Sequence, residues 1–445
     1  MQNLLYKFEL NPVTWAYLSS LITIAVYFKF RRFWSVRNLD LLGLLLYAPG
    51  LLMVSFGLDR QNAANPRAAE LVHAGYAWLF MVTGLFLVRT LVDSAMVRRP
   101  LLEPNLSVSG LTFSCAAMLV FLMANVITPS MKTSDVEGAQ SIDKMVGKKD
   151  YAGVREEIKK YGPGYPLFQL VSVSSNDNIP DNTDPNAVQR AFVRVAFTRT
   201  MAIAAHLAIV LAMVLIGYRH FDNMHTGIAA ATLYLLMPYT AEYTPRIDHV
   251  VPGALLVWAI QSYRRPVLAG VLIGLVSGLI CYPLFLLPLW CSFYWRRGLF
   301  RFLIGVFSML VLVALSLLIT ADRQHIAATF LADLFHTFGP DIVPAGREVG
   351  FWELPRLSAF RLTVFAGFAA MCISLAIWPA QKNLGSLLAC TTAIILATQF
   401  WKPYEGGTYL GWYLPLLILT IFRPNLEDRV ALSAISEGWL RGRSK

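Results

Sequence analysis

The chain has 445 residues, 56% hydrophobic and only 15% charged, and its 38 basic against 27 acidic side chains leave a net charge of +11. Soluble domains carry about 25% charged residues, and a mean hydropathy of +0.53 leaves too little polar surface to face water; disordered, collagenous and disulfide-stapled classes fall on the same numbers. What remains is an all-α polytopic membrane protein, whose Lys and Arg lie in small clusters between apolar runs and not on one nucleic-acid-binding face.

A helix needs about 20 apolar residues to cross the hydrocarbon. Thirteen candidate stretches, hence about 13 transmembrane helices, lie near 12–28, 39–57, 74–94, 109–129, 200–217, 227–241, 249–262, 267–281, 282–295, 302–320, 360–378, 385–401 and 408–422. The first reads as a retained span and not a cleavable signal. A break is expected at Cys281-Tyr282-Pro283, because proline removes a backbone donor. The five cysteines all sit in apolar runs without CxxC spacing, so they read as small hydrophobes.

Basic clusters follow every second stretch: Lys29, Arg31, Arg32 and Arg37; Arg98 and Arg99; Arg219 and His220; Arg264 and Arg265; Arg296, Arg297 and Arg301; Lys382; and Arg423 with Arg429, Arg441, Arg443 and Lys445. Short basic connections are cytoplasmic, so the N-terminus is expected outside and residues 425–445 form a cytoplasmic tail. Arg89, near a span end, is expected to snorkel towards the inner surface. The longest polar stretch, 130–199, carries ten basic and nine acidic residues, and a long loop of mixed charge translocates regardless of sign. With 321–359 as the second large loop and 57–73, 242–248 and 402–407 as smaller ones, polar capacity collects on the outer face. Within the large loops, 137–160 and 325–336 carry the apolar spacing of helices lying on the membrane surface.

Candidate site residues follow from that asymmetry. Asp135 lies just beyond the fourth stretch, where a carboxylate serves either as a general base or as a helix N-cap. Tyr161-Gly-Pro-Gly-Tyr165 is a tight turn flanked by rings, either a stacking wall for a sugar or lipid or an interface anchor. Arg246, Arg347 and Lys402, the last followed by Tyr404, are candidates for a phosphate; for Lys402 the alternative is a snorkelling anchor. Asp248 and His249 stand at the mouth of the next stretch, as functional ionisable groups or as a cap with an interfacial histidine. His220, Asp222 and His225 look like a metal set but fall in a cytoplasmic connection, so no metal is expected. No P-loop, Rossmann glycine fingerprint or HExxH is present, which argues against a nucleotide-driven pump and leaves no cofactor expected.

Three stretches resemble the GT-C class of polytopic glycosyltransferases, and within it the polyprenol-phosphate-mannose-dependent alpha-mannosyltransferases. They are Ser134-Asp135-Val136 with Gly138-Ala139, Ile142 and Gly147; Tyr161-Gly-Pro with Tyr165-Pro-Leu167; and Arg264 through Gly274 with Tyr282-Pro283, Leu287-Pro-Leu-Trp290 and Arg296-Arg297. The likeness covers roughly 109–424 as a GT-C-like core, leaving 1–108 as a three-span extension. It implies an inner-membrane enzyme, active on its outer face. Such an enzyme moves a mannose-like sugar from a polyprenyl-phosphate donor to a lipid or glycan acceptor, with inversion, and here Asp135 would be the base. Three spans precede the first large loop where that pattern has one, Asp143 and Asp150 lie near the base position, and Ile280-Cys281 stands where relatives often show a lysine. The rivals are a transporter or flippase and a non-catalytic scaffold.

The charge pattern generates a topological prediction. Reporter fusions are expected to show the segment before Lys7 outside and the segment after Arg423 inside; a cytoplasmic signal at both would mean that one span is miscounted.

Overall fold

The structure is a computed structural model and describes residues 11–62, 67–93, 102–127, 185–317, 349–353, 355–426 and 430. Among these there is no β-strand, only isolated bridges from Val349 to Tyr404 and from Asn383 to Val430. The helices run α1 (Pro12–Tyr27), α2 (Val36–Leu45), α3 (Tyr47–Asn62), α4 (Ala68–Val92), α5 (Val108–Ile127), α6 (Pro185–Arg219), α7 (Met224–Leu236) and α8 (Pro238–Glu242). Then come α9 (Ile247–Gln261), α10 (Pro266–Leu279), α11 (Leu287–Tyr294), α12 (Leu299–Leu317), α13 (Pro355–Ser358), α14 (Arg361–Ile377), α15 (Leu384–Thr398) and α16 (Leu414–Phe422).

Among the described residues, each apolar stretch read from the sequence contains a helix. Among the same residues, four helical segments are long and apolar enough to cross a membrane: Val36–Leu58, Ala68–Val92, Val108–Ile127 and Ala196–Arg219. The other apolar helices are shorter. α6 begins at Pro185, inside the stretch expected to be outer loop to residue 199. The break near Pro283 is present: Ile280 is extended, and a 3-10 turn over Tyr282–Leu286 leads into α11.

Local chemistry sets these ends. Asn11 caps α1 by accepting from the Val13 and Thr14 amides, Asn223 caps α7 through the Thr226 amide, and Asn383 with Ser386 forms a reciprocal capping box on α15. Met237 is extended ahead of Pro238, which ends α7 and opens α8.

Packing relies on small residues, as expected where lipid removes the hydrophobic drive between helices. α10 and α12 meet backbone to backbone: a Cβ on Gly270 would lie 2.1 Å from the Phe302 carbonyl oxygen, and one on Gly305 2.3 Å from that of Val267. α9 meets the 3-10 turn Leu410–Trp412 in the same way, a Cβ on Gly253 falling 2.1 Å from the Gly411 oxygen.

The N-terminal helices are built into the rest. The Tyr27 hydroxyl donates to the Ala229 carbonyl at 2.8 Å, the Tyr413 hydroxyl meets Tyr47's at 3.2 Å, and Ser55 Oγ donates to Glu242 at 3.2 Å. Arg89 does not snorkel as expected. It pairs at 2.9 Å with both Asp40 and Asp93, and Asp93 in turn accepts from Arg423 Nε at 3.0 Å. Charges that face no water are stable only when paired, and this set ties α2, α4 and the end of α16 together.

A matched pair of glycine substitutions follows. Gly253→Ala is expected to destabilise the protein by about 1–3 kcal/mol, because backbone must move aside. Gly367→Ala, whose Cβ would meet nothing within 4 Å, is expected to be neutral or stabilising by up to about 1 kcal/mol through helix propensity. Thermal unfolding of the full chain in detergent reads both.

Candidate functional site

α7 has 13 residues, α9 15 and α15 15. At 1.5 Å per residue they reach about 20–22 Å, short of the ~30 Å hydrocarbon. Their connections, 237–246 and 399–413, therefore begin inside the protein, where every opened backbone group needs an internal partner. Side chains supply them. Thr240 Oγ1 donates to the Tyr234 carbonyl at 2.6 Å, and Thr244 Oγ1 to those of Thr240 and Ala241. From α6, buried His206 donates through Nε2 to the Thr244 carbonyl at 3.1 Å and accepts at Nδ1 from the Tyr234 hydroxyl at 3.0 Å. The Trp412 indole donates to the Asp248 carbonyl at 2.9 Å and so ties the second connection to the first.

The two connections bring together five residues singled out from the sequence. Arg246 grips Asp248 with two hydrogen bonds, Nη2 to Oδ2 at 2.8 Å and Nε to Oδ1 at 3.3 Å. Burial works against the Arg246 charge, but the Asp248 carboxylate outweighs it and holds the guanidinium above its ordinary value. Asp248 is not a side-chain cap for α9: the N-cap position is Arg246, with no side-chain cap hydrogen bond.

His249 is fully buried, not interfacial. Its ring lies between Tyr243, at 4.5 Å and 15°, and Tyr409, at 4.4 Å and 17°. Its Nδ1 accepts from the Tyr239 hydroxyl at 2.6 Å, and its Nε2 lies 3.5 Å from Asp248 Oδ2. A Tyr239–His249 hydrogen bond and an Arg246–Asp248 ion pair thus lie side by side, and His249 Nε2 between them has no hydrogen-bond partner among the described residues.

Lys402 is 3% exposed and no surface anchor. Its Nζ stands 3.6 Å over the Tyr409 ring and 5.5 Å from that of Trp412, and donates one hydrogen bond, to the Tyr404 carbonyl at 2.9 Å. With His249 stacked on one face of Tyr409, only the other face is left for the ammonium, a cation–π contact. No carboxylate lies within ion-pair distance of Lys402 among the described residues. Burial pushes its ammonium down to about 7, against the pull of Glu405 and Asp248. Tyr404 is partly exposed and pairs with Val349 through the Val349 amide to the Pro403 carbonyl and the Glu405 amide to the Val349 carbonyl.

Asp135, Tyr161, Tyr165 and Arg347 lie outside the described residues. Sequence reading passed over Tyr239, Tyr243, Tyr409 and Trp412, which form the cluster's walls. Their i,i+4 and i,i+3 spacings beside the chosen charges were the available signal. No group of three or more His, Cys, Asp or Glu side chains among the described residues could hold a metal ion.

The lowering of the Lys402 ammonium by burial gives a pH prediction. A base whose folded pKa is lowered is charged below that value and neutral above it. Affinity for an anionic lipid phosphodiester, which keeps its single charge throughout, is expected to fall above pH ~7 by up to about tenfold per unit. Lys402→Arg should flatten that fall by staying charged, and Lys402→Met should bind weakly at every pH; fluorescence titration from pH 5.5 to 9 distinguishes the three. No protein family, curated protein or solved structure matches this chain.

Proposed function

We propose that this protein is a membrane glycosyltransferase of the GT-C type, moving a sugar from a polyprenyl-phosphate donor to an extracytoplasmic acceptor. The observation that supports it best is Lys402, a buried cation without an ion-pair partner among the described residues, next to Arg246 and walled by Tyr409 and Trp412. A buried cation seeks an anion, and a phosphate reached through apolar surroundings belongs to a lipid. Arg246 keeps Nη1 uncommitted among the described residues while its other face holds Asp248.

In this reading Lys402 and Arg246 steady the leaving phosphate as negative charge gathers on it. The acceptor hydroxyl attacks the anomeric carbon from the opposite face, the bond from that carbon to the phosphate oxygen breaks, and polyprenyl phosphate departs with the electron pair. Asp135 takes the hydroxyl proton. Arg347 is a further phosphate ligand, and Tyr161 and Tyr165 bound the sugar.

One observation favours a second reading. Short helices that stop at buried ionisable groups are also how transporters build substrate sites, so export of an anionic lipid is the rival.

Asp135→Asn separates the two. The substitution keeps size and capping ability but removes the base, which contributes roughly 10²–10⁴-fold. Sugar transfer by the purified protein is expected to fall at least about a hundredfold, while Asp143→Asn and Asp150→Asn retain it. Transfer unchanged in Asp135→Asn would discard this base, and lipid movement across proteoliposomes without any transfer would favour the rival.

A further inference from the structure

The His249 ring is held almost all round. Tyr243 and Tyr409 stack on its two faces, and Tyr239 occupies Nδ1 at 2.6 Å. The 3-10 turn Leu410–Trp412 closes in behind: a Cβ on Gly411 would lie 2.4 Å from the His249 carbonyl oxygen and 2.9 Å from the Tyr239 hydroxyl. A ring clamped in this way cannot turn to find another partner. Yet its second nitrogen, Nε2, is buried and has no hydrogen-bond partner among the described residues. Asp248 Oδ2, 3.5 Å away, makes no hydrogen bond to it and already accepts from Arg246 Nη2 at 2.8 Å.

Tyr239 decides which nitrogen carries the proton. A phenol has one proton to give, and the buried Tyr239 hydroxyl gives it to Nδ1. A neutral ring that accepts at Nδ1 carries its own hydrogen on Nε2. Nε2–H is thus a donor taken out of water, fixed by its neighbours and left without an acceptor. Leaving a buried donor unmet costs its desolvation, and one held so rigidly marks a place where a ligand completes it.

The surroundings say which acceptor fits. Across the Tyr409 ring stands Lys402, which has three donors but one hydrogen bond, and no carboxylate within ion-pair distance among the described residues. Glu405, three residues on, is partly exposed and does not reach it. Two buried groups with unmet donors, one of them a cation, therefore border one aromatic ring. An amide or ether oxygen would complete Nε2 and leave the ammonium as it is. A phosphate brings acceptor oxygens and negative charge together.

We infer that His249 binds the phosphate of the lipid donor by giving Nε2–H to a phosphate oxygen, and that Tyr239 is the positioning residue that keeps the proton on that nitrogen. The inference rests on the glycosyl-transfer reading and deepens it, adding an uncharged donor to the phosphate that Lys402 and Arg246 steady.

The test uses the full chain in nanodiscs, titrated with short-chain polyprenyl phosphate and, separately, with inorganic phosphate. His249→Phe keeps a ring between the two tyrosines without a donor, His249→Gln carries an amide out to where Nε2 stands, and His249→Asn reaches only the Nδ1 position. The Phe and Asn variants are expected to bind the lipid phosphate at least about tenfold more weakly, and the Gln variant within about threefold of wild type. Nitrogen NMR of histidine-labelled protein, with the His249 signal identified by its loss in His249→Gln, should show Nε2 protonated and its resonance moving when lipid phosphate is added. Tyr239→Phe should shift part of that proton to Nδ1 and weaken binding in step. Wild-type affinity in His249→Phe, with Lys402→Met binding weakly, overturns the inference and leaves the transferase reading standing. Equal losses in the Gln and Asn variants overturn it as well, because packing and not the donor has then been lost. If wild type binds neither form of phosphate, the inference and the transferase reading fall together. If it binds inorganic phosphate as tightly as the lipid, the donor role of His249 stands and the lipid source falls. Should His249→Phe fail to fold, as its unfolding temperature would show, the comparison of Gln with Asn decides.

Discussion

The arrangement depends on one constraint: helices that stop short inside an apolar protein must find partners there for whatever polar groups they expose. α7, α9 and α15 all stop short. The carbonyls freed at 234, 240, 241 and 244 are met by Thr240, Thr244 and His206, and the Asp248 carbonyl by Trp412. A connection so fully bonded has little freedom, and rigidity is what a site needs in order to hold a reacting group in position. The same breaks that would be defects in a plain span therefore create a place where buried charge is held in a defined geometry, as the Asp40–Arg89–Asp93–Arg423 set holds it elsewhere in the bundle.

Charge accounting then separates the residues at that place. Arg246 and Asp248 neutralise each other at 2.8 Å, and His249 is held by rings on both faces and by Tyr239 at Nδ1. Arg246 and Asp248 thus satisfy each other's charge, and the His249 ring is fixed although its Nε2 has no hydrogen-bond partner among the described residues. The charge of Lys402 is not satisfied: an aromatic face and one carbonyl give an ammonium less than its three donors can use. Removing Asp248 would leave a buried guanidinium uncompensated, whereas removing Lys402 relieves a burial cost. Loss of stability and loss of ligand binding should thus separate between these neighbours, which makes Lys402 the informative residue of the pair.

The sequence carried much of this, for reasons that differ by residue. Apolar runs located most of the helices, because an apolar backbone segment satisfies its own polar groups best as a helix. Arg246, Asp248, His249, Lys402 and Tyr404 were legible because ionisable groups stand out at the ends of apolar stretches. That 246–249 and 402–404 meet was not legible, since nothing in either segment encodes a contact made through Trp412 and the close approach of Gly411. Span length misled as well. A 15-residue helix bordered by Trp, Tyr and Pro reads as a 17-residue apolar run, so α15 seemed to end at 401 where it ends at Thr398. Arg89 was misread for a related reason: Asp93 is its i,i+4 neighbour, but Asp40 lies on another helix, and only the fold puts it within reach.

The N-terminal unit is where sequence and structure differ most in consequence. Read by likeness, residues 1–108 are an addition to a core that begins at 109. In the structure the boundary carries a hydroxyl–hydroxyl contact at Tyr47–Tyr413, an ion pair at Asp93–Arg423 and a hydrogen bond from Ser55 to Glu242, one residue from Tyr243 in the ring stack. Phe80 packs against Phe351, Trp352 and Phe400, and Gly407, with φ +95°, lies against the same ring. An appendage would meet the core through interchangeable apolar side chains, as any two helices in lipid do. Directional polar contacts from α3 and from the C-terminal end of α4 fix the register instead. Shifting α4 by one residue rotates it by about 100°, which would carry Phe80 away from Phe351 and Asp93 away from Arg423 together. One helix therefore carries both the ion pair to Arg423 and the ring packing on Phe351, and the N-terminal helices are part of the bundle and not an appendage to it.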